Sequence, residues 1–235
     1  MRYLLSHLDT AWALTLIHLR LSLIPVLLGL IIAVPLGALV WRHPTLRRIA
    51  TVAASIIFTI PSLALFVVLP LVIPTRILDE TNVIVALTLY TTALLVRAVP
   101  EALDAVPAPV RDAATAVGYS RIGQLLKVEL PLSIPVLTAG LRVVAVTNIS
   151  MVAVGSVIGI GGLGVWFTEG YQADKSDQIV AGIIAVFLLA IVVDVLILLT
   201  GRLLSPWARA QDGERRTGAR PVAGPVVTPA KAVTT

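Results

Sequence analysis

Five apolar runs limit the possible folds of this chain more than any other feature. They cover residues 21–41, 49–73, 82–99, 134–157 and 179–201. A helix of about 20 apolar residues is long enough to cross a bilayer. Backbone amides in lipid must find partners inside the segment itself, which leaves helices as the natural solution for runs of this length. The expected fold is therefore an all-α integral membrane protein with about five transmembrane helices. Composition agrees, because 57% of the 235 residues are hydrophobic and only 13% are charged. So few polar side chains cannot clothe a soluble surface.

Residues 1–20 are only partly apolar. They fit an interfacial segment or an extension of the first span, and a sixth span among them would reverse the amino terminus alone. Ala11-Trp12-Ala13 has the small-x-small form of a cleavage site, but no apolar signal core precedes it, so a removed signal peptide is not expected. The transmembrane domain is expected over 21–207. The tail at 208–235, rich in Arg, Gly, Pro, Ala and Thr, reads as a disordered cytoplasmic extension.

Charge orients the bundle. Arg42, Arg47, Arg48, Arg111, Arg121, Lys127 and Arg202 flank one side, against Arg2, Arg20, Arg76 and Lys175 on the other. The basic side is expected inside, with the amino terminus out and the carboxyl terminus in. The net charge of +5 does not point to nucleic acid, since the basic residues cluster beside apolar spans and no nucleic-acid module is present. With no cysteine, disulfides and thiolate metal sites are excluded. His7, His18 and His43 show no metal spacing and read as interfacial polar residues.

Gly29, Ala33 and Gly37 recur every four residues and form a small stripe that allows close helix approach. Gly155-x3-Gly159 suggests the same device in the fourth span. Pro25, Pro35, Pro61 and Pro70 predict kinks.

The loop at about 107–131 is the most specific segment. Pro109 suits the first turn of a helix, on which Val110, Ala113, Ala114 and Val117 share a face. Asp112 is expected in the first turn, where it would complement the helix dipole. Gly118 is expected just past the helix end, and Ser120 is a cap for a second short helix. Ile122, Leu125, Leu126 and Leu130 give that helix an apolar side, and Pro131 is expected to close it. Two amphipathic helices joined by a glycine turn suit a knuckle that presses into a groove on a partner. A loop packed only on its own bundle is the alternative.

Written as a pattern, Asp112-Ala113-Ala114, Gly118, Val128, Leu130 and Pro131 read DAA-x3-G-x9-V-x-LP. This resembles the EAA loop of bacterial ABC-importer permeases, EAA-x3-G-x9-I-x-LP, with Asp for Glu, Val for Ile and every spacing kept. Glu101-Ala102-Leu103 is a decoy, since its glycine would fall on Pro107. The stretches TIPSLAL (59–65), LPLSIPV (130–136), AGLR (139–142) and IGIGGLG (158–164) are similar to the osmoprotectant branch, whose permeases import glycine betaine, choline, carnitine or proline-type solutes.

The resemblance implies a cytoplasmic ATP-binding subunit, an extracytoplasmic solute-binding protein and a second permease chain, in a homodimer or heterodimer embedded in membrane lipid. It also implies a multi-pass protein of the cell (inner) membrane. No cofactor is expected on this chain, with ATP used by the partner subunit. Consistently, the sequence contains no G-x4-G-K-[ST] and no catalytic signature, so it is read as a transporter subunit rather than an enzyme. The literal G-x-G-x-x-G at Gly159, Gly161 and Gly164 follows a span rather than a strand and is read as a tight turn at the outer mouth.

Tyr90, Thr147 and Asn148 are candidates for the substrate path, with helix-to-helix bonding as the alternative for each. Asp194 is an intramembrane charge, open to a relay role or to pairing with Arg142. A methionine-type permease, an ion-coupled secondary transporter and an intramembrane serine protease at Ser156 are rival readings. The protease lacks a base at depth, and the secondary transporter leaves the loop unexplained.

Overall fold

The computed structural model describes residues 2–208. It is built from helices, with no strand among the described residues. A short helix α1 (Arg2–Ser6) leads into α2 (Leu8–Trp41). Residues 8–20 share one helix with the first apolar run, and α1 is separate from it. At 1.5 Å per residue, α2 is roughly 50 Å long and overshoots the hydrocarbon layer. α3 (Pro44–Thr59) and α4 (Ser62–Val68) form the second run and bend by 86° at Ile60–Pro61. Proline has no amide hydrogen to donate and disfavours helix in the residue before it. Ile60 is accordingly extended, with ψ of 125°.

α5 (Glu80–Asp104) is the third span, capped by the Asp79 carboxylate, which accepts from the Thr81 amide at 2.8 Å. After the loop helices α6 (Ala108–Ala116) and α7 (Arg121–Gln124) comes α8 (Leu130–Gly155). A short α9 (Val165–Gln172) and the last span α10 (Ser176–Leu204) complete the bundle. Four helices are long and apolar enough to cross a membrane, and there are five if the bent pair counts as one broken span. The tail expected at 208–235 lies, after Ala208, outside the described residues.

α2 and α5 run parallel. Arg20 pairs with Glu80, Gly29 abuts Thr91, Gly37 abuts Val99, and Trp41 bonds Asp104. The glycine stripe makes this approach possible: a Cβ on Gly29 would lie 2.3 Å from the Thr91 methyl, and one on Gly37 2.6 Å from Val99 Cβ. α8 is antiparallel to both, and α10 returns along it, with Thr138 against Gly201 and Arg142 on Asp194. Val26, Ala33, Leu95, Val144, Ile149, Leu189 and Val193 fill the centre. The 42–43 turn, the loop helices and the end of α10 thus share one end of the bundle. The 72–79 segment and α9 occupy the other.

Three local expectations change. Gly155 and Gly159 do not form a stripe, because α8 ends at Gly155 and Gly159 lies beyond it with φ of 80°. His18 is not interfacial but fully buried. Its Nδ1 accepts from the Leu163 amide at 3.2 Å, so Nε2–H donates to the Ile149 carbonyl at 2.9 Å. These two bonds hold the glycine-rich 159–164 segment against α2 and α8. A base at depth therefore does exist, but both its nitrogens are engaged away from Ser156, whose hydroxyl donates to Ala153.

Candidate functional site

The loop between α5 and α8 is built as a helical hairpin. α6 starts with Pro109 in its first turn and ends in a paired-bond cap. Gly118 N–H donates to Thr115 and Tyr119 N–H to Ala114, at 3.0 and 3.1 Å. That arrangement requires a left-handed residue between them, and Gly118 supplies it with φ of 92°. Ser120 Oγ then accepts from the Gly123 amide at 3.1 Å and starts α7. Asp112 lies in the second turn of α6, not the first, so it gains little from the helix terminus.

The second helix does not close at Pro131. α7 continues through a π-helical turn at Leu125–Glu129 straight into α8. In that turn Leu130 N–H reaches back five residues to the Leu125 carbonyl. The wider turn accommodates a proline that would otherwise clash with the carbonyl four residues earlier. The expected two-helix loop is thus one free helix, α6, and one rod that enters the membrane as the fourth span.

Ala114 is buried, Val128, Leu130 and Pro131 are half-buried, and Asp112, Ala113 and Gly118 are exposed. The predicted apolar faces are mostly uncovered. Val117, Ile122 and Leu126 are 79, 71 and 57% exposed. Solvated apolar side chains gathered at the tip of a charged loop mark a contact surface.

A polar network ties this loop to the spans. Glu129 is completely enclosed, and its carboxylate accepts from Arg42 Nη2 at 3.0 and 3.3 Å and from Gln124 Nε2 at 3.1 Å. Gln124 also donates to the Arg111 carbonyl and accepts from the Thr115 hydroxyl, joining α6 to the rod. Trp41 Nε1–H donates to Asp104 at 2.6 Å, while Arg47 takes the other oxygen of that carboxylate. The Arg42 and Arg111 guanidiniums lie 5.0 and 5.8 Å from the Trp41 ring centroid. Neither the network nor the π turn follows from the DAA pattern. The one signal was Glu129 itself, an acid flanked by apolar neighbours on a helix.

The candidate path residues are engaged elsewhere. Tyr90 is buried, and its hydroxyl donates to the Ile60 carbonyl at 2.5 Å, which the helix break leaves without its helical partner. Asn148 is buried and donates to Thr91 Oγ1 at 2.9 Å. Both join helices, and neither lines an open face. Thr147 is half-buried, with its hydroxyl on its own helix at Val143. Asp194 forms a two-point ion pair with Arg142, at 2.7 and 2.6 Å.

Comparison with known proteins bears on this arrangement. Residues 11–210 match the family described as binding-protein-dependent transport system inner membrane component. The osmoprotectant import permease protein OsmW of Salmonella typhimurium is 36% identical, over 82% of this chain and 90% of its own length. The glycine betaine/carnitine/choline transport system permease protein OpuCB of Bacillus subtilis is 32% identical, over 80% and 86% respectively. A chain from the inward-facing MetNI methionine ABC transporter superposes with a TM-score of 0.68, covering 80% of this chain and 91% of that one. Its 24% identity makes the likeness one of fold.

Proposed function

This chain belongs to the binding-protein-dependent transport system inner membrane components, and from that membership we propose that it forms the membrane path of an ATP-driven importer for small osmoprotectants. The solutes are glycine betaine, choline, carnitine or a proline-type molecule. A separate binding protein delivers them on the outer side. A separate ATPase docks on the loop end, and a second permease chain completes the path. The amino terminus lies outside and the carboxyl terminus inside.

The observation that carries the coupling part of this reading is the uncovered apolar tip of α6 and α7 above the enclosed Glu129 and its partners Arg42 and Gln124. Asp112, Ala113, Ala114, Gly118, Val128, Leu130 and Pro131 shape and seat that tip. An ATPase that grips the tip moves α7, and α7 is one rod with the fourth span. Glu129 passes the same displacement to α2 through Arg42. The spans then tilt, which opens the path to the outside, and hydrolysis resets it. A methionine permease shares this fold, but the relatives that match over most of the chain carry osmoprotectant names.

The test is uptake of labelled glycine betaine and choline into vesicles holding the permease, its ATPase and its binding protein. Uptake that requires ATP and survives collapse of ion gradients is expected. Uptake driven by an ion gradient without ATP would refute the reading.

A further inference from the structure

Arg97 lies deeper in a span than most basic residues, and it differs from the ion-paired arginines there. Arg20, Arg42, Arg47 and Arg142 each reach a carboxylate. Arg97 reaches none among the described residues, although it lies seven positions before the end of α5, about 10 Å into the helix. Its side chain is exposed and lines a cleft of about 270 Å³ between α3 and α5, with Ser55, Phe58 and Thr59. An arginine facing hydrocarbon is costly and usually faces water or an anionic group instead.

Two independent features point to the same groove. The backbone at Ile60–Pro61 is not helical, and Thr59, Ile60 and Pro61 are exposed. Irregular backbone at membrane depth is tolerated where it borders protein or water, not lipid. α3 is also divided lengthwise: Ser55 and Thr59 line the cleft, with Thr51 one turn before them, while Ile49, Val52 and Ile56 form an exposed apolar stripe next to that row, farther from the cleft. One flank suits water and the other suits lipid.

We infer that this groove holds the travelling solute, and that it is built for a zwitterion: Arg97 takes a carboxylate and the Phe58 ring takes an alkylated ammonium. A guanidinium matches a carboxylate through two parallel hydrogen bonds. An aromatic ring attracts a quaternary ammonium through its face. Phe58 is braced for this by Tyr90, which packs edge-on at 5.4 Å between centroids and is itself fixed on the Ile60 carbonyl. The cleft falls just below the range of about 300–1,000 Å³ typical of drug-sized ligands, as a small solute requires. The inference rests on the osmoprotectant reading and adds where, and by which groups, the solute is held.

The chain has no cysteine, so single substitutions give clean labelling. Ser55→Cys and Thr59→Cys would be tested in vesicles carrying the complete transporter under ATP turnover. A charged, membrane-impermeant thiosulfonate is supplied on both sides, with Ile49→Cys and Ile56→Cys as lipid-flank controls. The groove positions are expected to react and the controls to stay unlabelled. Glycine betaine at about ten times its half-protecting concentration should slow labelling about tenfold. Arg97→Gln should raise that half-protecting concentration at least about tenfold, the loss of a charge-assisted hydrogen bond. Protection by choline, which has no carboxylate, should be unchanged.

Groove cysteines that react no faster than the controls, or that glycine betaine does not protect, would overturn the inference. So would an Arg97→Gln effect equal for both solutes, which would assign Arg97 to a lipid phosphate or to packing. Phe58→Leu provides a second reading that leaves Arg97 intact, and it should weaken protection by both solutes. Wild-type uptake in the same vesicles separates the two levels. Normal ATP-dependent uptake with unprotected cysteines defeats the groove alone, and no uptake of either solute defeats the parent reading and the groove with it.

Discussion

Glu129, enclosed at the base of the loop, has its charge answered by Arg42, a residue 87 positions earlier in the chain at the end of the first span. Removing Arg42 strands a buried carboxylate. Arg42→Ala is expected to cost about 3 kcal/mol of stability, read as a lower melting temperature of the purified complex. Arg42→Lys should recover part of the loss, since it restores charge but not the guanidinium geometry. Glu129→Gln should melt close to wild type while weakening the coupling of ATP hydrolysis to uptake.

Gly118 has open space around its α-carbon, so a side chain there meets no obstacle within its own chain. Its φ of 92° is the difficulty, and a β-branched residue there would cost about 1–2 kcal/mol locally. Gly118→Asn should leave ATPase copurification near wild type, because asparagine tolerates this conformation. Gly118→Val, through backbone strain, and Gly118→Asp, through a charge set on the apolar tip, should leave the protein in the membrane and reduce the ATPase recovered with it severalfold. Unchanged copurification and unchanged uptake in both would remove the loop from the coupling scheme.

Gly29 carries the closest approach of α2 to α5. Gly29→Ala drives its methyl into Thr91 and is expected to destabilise by about 1–3 kcal/mol, as overpacking does. Thr91→Ser removes the nearer methyl and keeps the hydroxyl that accepts from Asn148. The double variant should therefore melt above Gly29→Ala alone in detergent.

Asp194 and Arg142 should behave as a structural pair. Asp194→Asn and Arg142→Gln each leave one charge uncompensated within the bundle, and each should lower the melting temperature. The double variant should lie closer to wild type than the sum of the two single effects. Uptake by Asp194→Asn should keep the wild-type pH profile. A profile shifted by that substitution would favour a proton relay instead.

Much of this arrangement can be read from sequence because the bilayer imposes a coarse rule. Four of the five apolar runs lie in helices long and apolar enough to cross a membrane, and the glycine stripe at Gly29 and Gly37 met a neighbour as its spacing implies. The start of α2 was obscured by Asp9, His18 and Arg20, which dilute the apolar window although the helix passes through them. Pro131 misled because the proline rule assumes an α-helical turn, and a π turn escapes it. The 86° break at Pro61 was legible only as a kink, since its angle depends on what receives the Ile60 carbonyl. Glu129 alone hinted at a buried partner, but its pairing with Arg42 was invisible, because 87 positions separate the two and no spacing encodes it.

The parallel run of α2 beside α5 has a mechanical consequence. Gly29 and Gly37 interlock with Thr91 and Val99 at two heights, and Trp41 clasps Asp104 below them. Two rods keyed at three levels cannot slide lengthwise past one another without lifting apart. They travel as a single girder, and flexure is left to the joints, of which Ile60–Pro61 is the sharpest.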